Sequence, residues 1–134
     1  MKKSIFRPVG HVLLTIVLIA LLLLNLSPLW GIDKYVVTSG SMEPSIPTGS
    51  IAVVNSNVKF EDVSIGDVII FEYEQSRIIH RVVDEKVMNG ERYLKTKGDA
   101  NKRDDGFLTT KDNYYGVSVV HIPELGKIIL SGRR

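Results

Sequence analysis

A mainly β domain behind one N-terminal transmembrane helix is the fold class this sequence predicts, and three observations predict it. Residues 9–30, "VGHVLLTIVLIALLLLNLSPLW", form a single apolar run. Downstream, short stretches rich in Val, Ile and Tyr alternate with Gly, Pro and Asn/Asp turns, the signature of strands. Beyond the apolar run no stretch repeats its hydrophobic residues with a helical period. The 134 residues leave room for one small domain and an anchor.

The elements follow in order. Residues 1–8 hold Lys2, Lys3 and Arg7 with no acid. Residues 12–24 contain nothing more polar than Thr15. As a helix, residues 9–30 reach roughly 33 Å, against about 30 Å of bilayer core. The positive-inside rule then puts residues 1–8 in the cytoplasm and residues 31–134 outside, with the helix in the cell membrane. A cleavable signal peptide also begins with a basic tip and an apolar run, but "NLSPLWGIDK" offers no clean small-x-small cleavage site. Pro28 and Gly31 end the helix. "KYVVT", "SIAVVN" and "GDVIIFEY" then read as strands, and "RIIHRVVDEKVM" and "ERYLKTKG" flank Asn89-Gly90, the pair best suited to a two-residue type I′ hairpin. "DANKRDDGF" is a polar loop and "YYGVSVVHI" a last strand.

Composition excludes several chemistries. Lys2, Lys3, Arg7, Arg133 and Arg134 carry the net charge of +2; of the 17 basic residues 12 then remain against 15 acids, so no basic face suggests nucleic acid. Zero cysteines remove disulfides, thiol catalysis and thiolate zinc sites. No metal or cofactor is expected.

"TSGSMEPSI", from Thr38 to Ile46, packs three serines, a glycine, a methionine and a proline together. Ordinary turn chemistry accounts for such a loop. A serine nucleophile, by contrast, needs a base within hydrogen-bond reach and something to hold that base. There are three histidines. His11 falls inside the helix, and His121 ends a strand as a surface or packing residue. His80 lies in "RIIHRVV", where period-2 alternation puts Ile78, His80 and Val82 on one face. An imidazole between aliphatic neighbours on a buried face suits a neutral, base-competent histidine, although a core histidine bonded to a backbone carbonyl is the commoner outcome of such a pattern. Asp99, Asp104 and Asp105 offer carboxylates to orient it, or simply solvated turn residues.

Taken together, "SGSMEPSI", "GDVIIF", "IIHRVV" and "KGDANKRDD" resemble, in this order, the sequence boxes of type I signal peptidases, through Tyr115-Gly116-Val117. The S-x-S-M-x-P box alone is shared with self-cleaving SOS and phage repressors, whose N-terminal DNA-binding domain is replaced here by a hydrophobic helix. Where most bacterial members carry lysine, this chain has His80, so it resembles the endoplasmic-reticulum, archaeal and Gram-positive sporulation-type branch. The resemblance implies a membrane-bound serine endopeptidase that removes signal peptides from translocated preproteins. Within it, Ser41 is the nucleophile, His80 the general base, Asp105 the orienting acid with Asp104 its alternative, and Asp99 a second acid that shapes the site. Ser39 is implied as an oxyanion donor. Met42 and Pro44, with Ile46 and Pro47, are expected to form an apolar rim that meets substrate and lipid. The implied partners are signal peptides of secretory preproteins, the lipid bilayer and the protein translocation machinery. Relatives of this branch often continue into a second membrane helix, which "IPELGKIIL" would begin. The competing expectation is an inactive or truncated membrane-tethered β-rich binding module.

Overall fold

A computed structural model describes residues 6–123, with side chains from Val9 onward. The segment from Glu124, most of the stretch "IPELGKIIL" at which relatives would begin a second membrane helix, lies outside the described residues. The chain divides into two units, Met1–Trp30 and Gly31–Arg134.

In the first unit, helix α1 (Phe6–Asn25) is followed by a short 3-10 turn, Ser27–Trp30. The helix end is closed locally. Ser27 Oγ donates to the Leu24 carbonyl in the last turn (2.9 Å), and Asn25 Nδ2 donates to the Leu21 carbonyl (2.8 Å). Leu13, Leu14, Leu18 and Leu22 remain 57–59% exposed, so the apolar surface of α1 runs around the helix rather than along one stripe. Among the described residues no helix is long and apolar enough to cross a membrane.

The second unit is an antiparallel seven-stranded sheet: β1 (Ile32–Val36), β2 (Ile51–Asn55), β3 (Val68–Tyr73), β4 (Ser76–Met88), β5 (Glu91–Lys97), β6 (Leu108–Thr109) and β7 (Tyr114–Ile122). Its spatial order is β1-β2-β7-β3-β4-β5-β6. Asn89 and Gly90 have φ of 55° and 83°, the double left-handed geometry expected of that hairpin. Glu74 and Gln75 make the β3–β4 connection in the same region, at 49° and 63°, without any glycine to announce it. The two-residue β6 and the 3-10 turns at Phe60–Asp62 and Lys111–Asn113 also went unread in the sequence, being too short to carry a period.

Strand β4 separates two clusters. On one face Val82 joins Phe60, Val63, Ile69, Phe71 and Leu94, with Ile78 against them. On the other, Ile79 packs against Val37, Met42, Ile46 and Ala52. The alternation read for "RIIHRVV" therefore holds, and His80 is 7% exposed on the first face. Phe71 is fully buried and sets its ring 6.4 Å from the His80 ring. Phe71→Ala should cost about 3–5 kcal/mol, read as a lower urea midpoint for the full chain in detergent.

Candidate active site

Three separated segments supply the site. Ser41 sits in the loop between β1 and β2, held from both sides. Glu43 N donates to the Gly40 carbonyl (3.1 Å) and Ile46 N to that of Met42 (2.8 Å), while Ala100 N, from the loop after β5, donates to the Ser41 carbonyl (2.9 Å). Met42 and Ile46 are 1% and 3% exposed and belong to the second cluster. The expected apolar rim is corrected accordingly. Methionine and isoleucine side chains gain more from closing the sheet's second face than from projecting outward, so Met42 and Ile46 anchor the loop and only Pro44 is exposed.

The neighbours of His80 define the tautomer of its neutral ring. Asp105 Oδ2 lies 2.8 Å from Nδ1, and Ser41 Oγ lies 3.0 Å from Nε2. An ionised carboxylate only accepts, so Nδ1 bears the proton and Nε2 of the neutral ring accepts from the Ser41 hydroxyl. Ser39 Oγ is 3.3 Å from Ser41 Oγ, and with the Ser41 proton directed at His80, Ser39 is the donor of that contact. Asp105 is tied to β5, its amide donating to the Thr96 carbonyl (3.0 Å) and its Oδ2 accepting from Thr96 Oγ1 (2.5 Å). Asp104 turns the other way, toward Lys95 Nζ (2.8 Å) and its own loop at Gly106 N (3.1 Å). Of the two adjacent carboxylates, then, Asp105 reaches the imidazole.

Asp99 meets neither Ser41 nor His80 by a hydrogen bond. Arg81 grips it with two, Nε to Oδ1 at 2.9 Å and Nη2 to Oδ2 at 2.7 Å, and spends Nη1 on the Gly66 carbonyl (2.9 Å). The Arg81 fork holds the Asp99 carboxyl below its ordinary range against the opposing effect of burial, with a further hydrogen bond from Ser45 assisting. The pair fastens the loop after β5 to β4. Next to it Gly98 admits no side chain, since a Cβ there would lie 2.5 Å from Ser41 O and 2.9 Å from His80 Nε2. Arg81, Thr96 and Gly98 were not singled out in the sequence. The available signals were an arginine beside the candidate base, a threonine at an inward position of "ERYLKTK" and a glycine before Asp99.

A cleft of about 290 Å³ opens beside Ser41, with residues 36–39 on one wall and residues 77–80 on the other. Among the described residues both walls have an edge that no further strand pairs: β1 pairs with β2 alone, and β4 takes β3 as partner over Ser76 to Arg81 but meets β5 only from Arg81 onward. The backbone there is free to bond an extended peptide. His11 and His121 lie elsewhere, both exposed. Among the described residues no group of three or more His, Asp or Glu could hold a metal.

Two outcomes follow from this geometry. Gly98→Ala should push Ser41 and His80 apart and lower serine reactivity toward a phosphonate probe by at least tenfold, while circular dichroism stays native. Because the folded Asp99 carboxyl titrates below the unfolded value of about 3.9, its ion pair stabilises fully above that pH and is lost as pH falls through the folded value. The stability gap between wild type and Asp99→Asn should accordingly be present at pH 7 and shrink below about pH 4, as read by urea unfolding.

Comparison with known proteins adds the family. The profile described as signal peptidase, peptidase S26, matches residues 9–113. The signal peptidase complex catalytic subunit SEC11 of Eremothecium gossypii is 36% identical over 106 residues, covering 71% of this chain and 62% of that protein. SEC11 of Lachancea thermotolerans is 37% identical over 108 residues with the same two shares, 71% and 62%. Signal peptidase I W of Bacillus subtilis is 36% identical over 78 residues, 58% of this chain and 41% of that one. The match thus spans less than two thirds of the length of the SEC11 relatives. The chain belongs to the signal peptidase family, peptidase S26, on the branch of type I signal peptidases that includes SEC11.

Proposed function

We propose that this chain is a membrane-anchored serine endopeptidase that cleaves signal peptides from translocated preproteins. The observation that carries the reading is the unbroken hydrogen-bond chain Ser41–His80–Asp105, whose Ser41 and His80 line a cleft walled by two open strand edges. An extended substrate adds to these edges, leaving its scissile carbonyl over Ser41. Ser41 Oγ attacks that carbon as its proton passes to His80 Nε2, and Asp105 stabilises the imidazolium that results. Collapse of the tetrahedral intermediate expels the new amine, which takes the proton from His80, and leaves an acyl group on Ser41. Water, deprotonated by His80, then releases it. Ser39 is the side-chain donor proposed to bind the oxyanion, charge that exists only near the transition state. Met42 on the floor of the narrow cleft limits the residue before the cut to a small side chain, and Pro44 forms the exposed part of the rim. Asp99 shapes the site through Arg81.

In this reading α1 is the anchor. The described part of α1 is by itself not long and apolar enough to cross a membrane; what supports the reading is the apolar run 9–30 of the sequence, together with leucines exposed all around the helix. Lys2, Lys3 and Arg7 orient it with the N-terminus in the cytoplasm, so that residues 31–134 work outside. SEC11 is named as the catalytic subunit of a complex, and we extend this to the present chain as docking beside the translocation machinery.

Full chain reconstituted in liposomes should cut a preprotein after a small residue, and Ser41→Ala should reduce turnover by at least 10⁴-fold with its fold unchanged. Cleavage by Ser41→Ala at the wild-type rate would overturn the assignment; a folded wild type that cuts nothing would favour the tethered binding module. The rate of the active enzyme should fall as acidification protonates the imidazole, since Nε2 can then accept no proton from Ser41.

A further inference from the structure

Thr96 is fully buried on β5, in register with Val82 and one inward position from Leu94, both of which lie in the apolar cluster. A hydroxyl among such neighbours costs stability unless it is bonded. Its single donor goes to Asp105 Oδ2 at 2.5 Å, the same oxygen that takes the proton on His80 Nδ1 at 2.8 Å. The Thr96 carbonyl also receives the Asp105 amide at 3.0 Å. One residue therefore holds Asp105 by main chain and side chain at once, and the side-chain bond fixes which carboxylate oxygen faces the imidazole.

Building on the peptidase reading above, we infer that Thr96 is a positioning residue for the reaction, the fourth member of the hydrogen-bonded line from Ser41 to β5. It does not touch substrate. By occupying one lone pair of Asp105 Oδ2 it leaves the carboxylate a single orientation, which holds the His80 ring in its Nδ1–H tautomer with Nε2 aimed at Ser41. Asp105 sits on a loop, and without the hydroxyl its side chain could rotate about χ1 or χ2 while the hydrogen bond from its N–H to the Thr96 carbonyl stayed intact.

The test compares Thr96→Val, which keeps the shape and removes the donor, with Thr96→Ser, which keeps the donor and loses a methyl. In the liposome assay Thr96→Val should lower kcat about 10–100-fold with KM within about twofold, as expected for loss of a hydrogen bond to a charged group, and Thr96→Ser should recover to within about threefold of wild type. ¹⁵N-histidine NMR of the full chain in detergent supplies a readout independent of turnover. Wild type and Thr96→Ser should show His80 as one Nδ1–H tautomer, and Thr96→Val a mixture. A Thr96→Val protein with wild-type kcat and an unchanged tautomer would overturn the inference. If Thr96→Val fails to fold, Thr96→Ala is read in the same way. A wild type without cleavage would overturn the peptidase reading alone, since the tautomer comparison still decides the role of Thr96.

Discussion

Everything about the site depends on one hydrogen-bonded line, Asp105 to His80 to Ser41, assembled from residues that are 25 and 39 positions apart along the chain. Hydrogen bonds of 2.8 and 3.0 Å tolerate little displacement. The three segments must be fixed by something stiffer than their own loops. Strand β4 provides the reference. It is packed on both faces, and His80 is locked opposite Ile69 of β3. The loop carrying Ser41 is pinned to the second face of β4 through Met42 and Ile46, and the loop carrying Asp105 is pinned to β5 through Thr96 and Lys95.

This arrangement explains why apolar and ionic groups near the site are not interchangeable with solvent-facing ones. Met42 directly follows the candidate nucleophile, and its burial turns a flexible Ser/Gly loop into a fixed point. The Arg81–Asp99 pair is only partly buried, with side-chain exposures of 34% and 16%, so its net contribution to stability is modest. Its geometric effect is larger. A bidentate fork sets the plane of the Asp99 carboxylate, and with it the path of residues 98–100 across the back of Ser41. The Ala100 amide then reaches the Ser41 carbonyl, and Gly98 leaves no room for a side chain against it. The open wall at residues 77–80 belongs to the same design, because β5 joins β4 only after His80 and leaves that backbone to another partner.

Much of this was legible in the sequence. The strands with strong period-2 patterns, the Asn89-Gly90 turn and the inward face of His80 all follow from local rules that tertiary packing did not override. The meeting of Ser41, His80 and Asp105 was legible only through resemblance, since no local rule says that two loops converge on one strand. Asp104 and Asp105 are chemically identical neighbours, and only Lys95 on one side and Thr96 on the other separate them. The reading of Met42 and Ile46 as an outward rim failed because nothing local separates an apolar loop residue that meets lipid from one that packs inward; the second cluster that buries them draws on Val37 after β1, Ala52 of β2, Val68 of β3 and Ile79 of β4 and has no sequence-local signature. Glu74-Gln75 was missed as a turn for a related reason. Neither residue prefers a left-handed backbone, and the register of β3 against β4 imposes it.

The central claim is that His80, oriented by Asp105, activates Ser41 as a nucleophile. A serine-directed phosphonate carrying a mass tag, incubated with the full chain and with His80→Ala in detergent, tests it without any assumption about natural substrates. The account predicts a covalent adduct on Ser41 alone, mapped by peptide mass spectrometry, and labelling at least a hundredfold slower in His80→Ala. An adduct on another residue, or equal labelling of the two proteins, would contradict it.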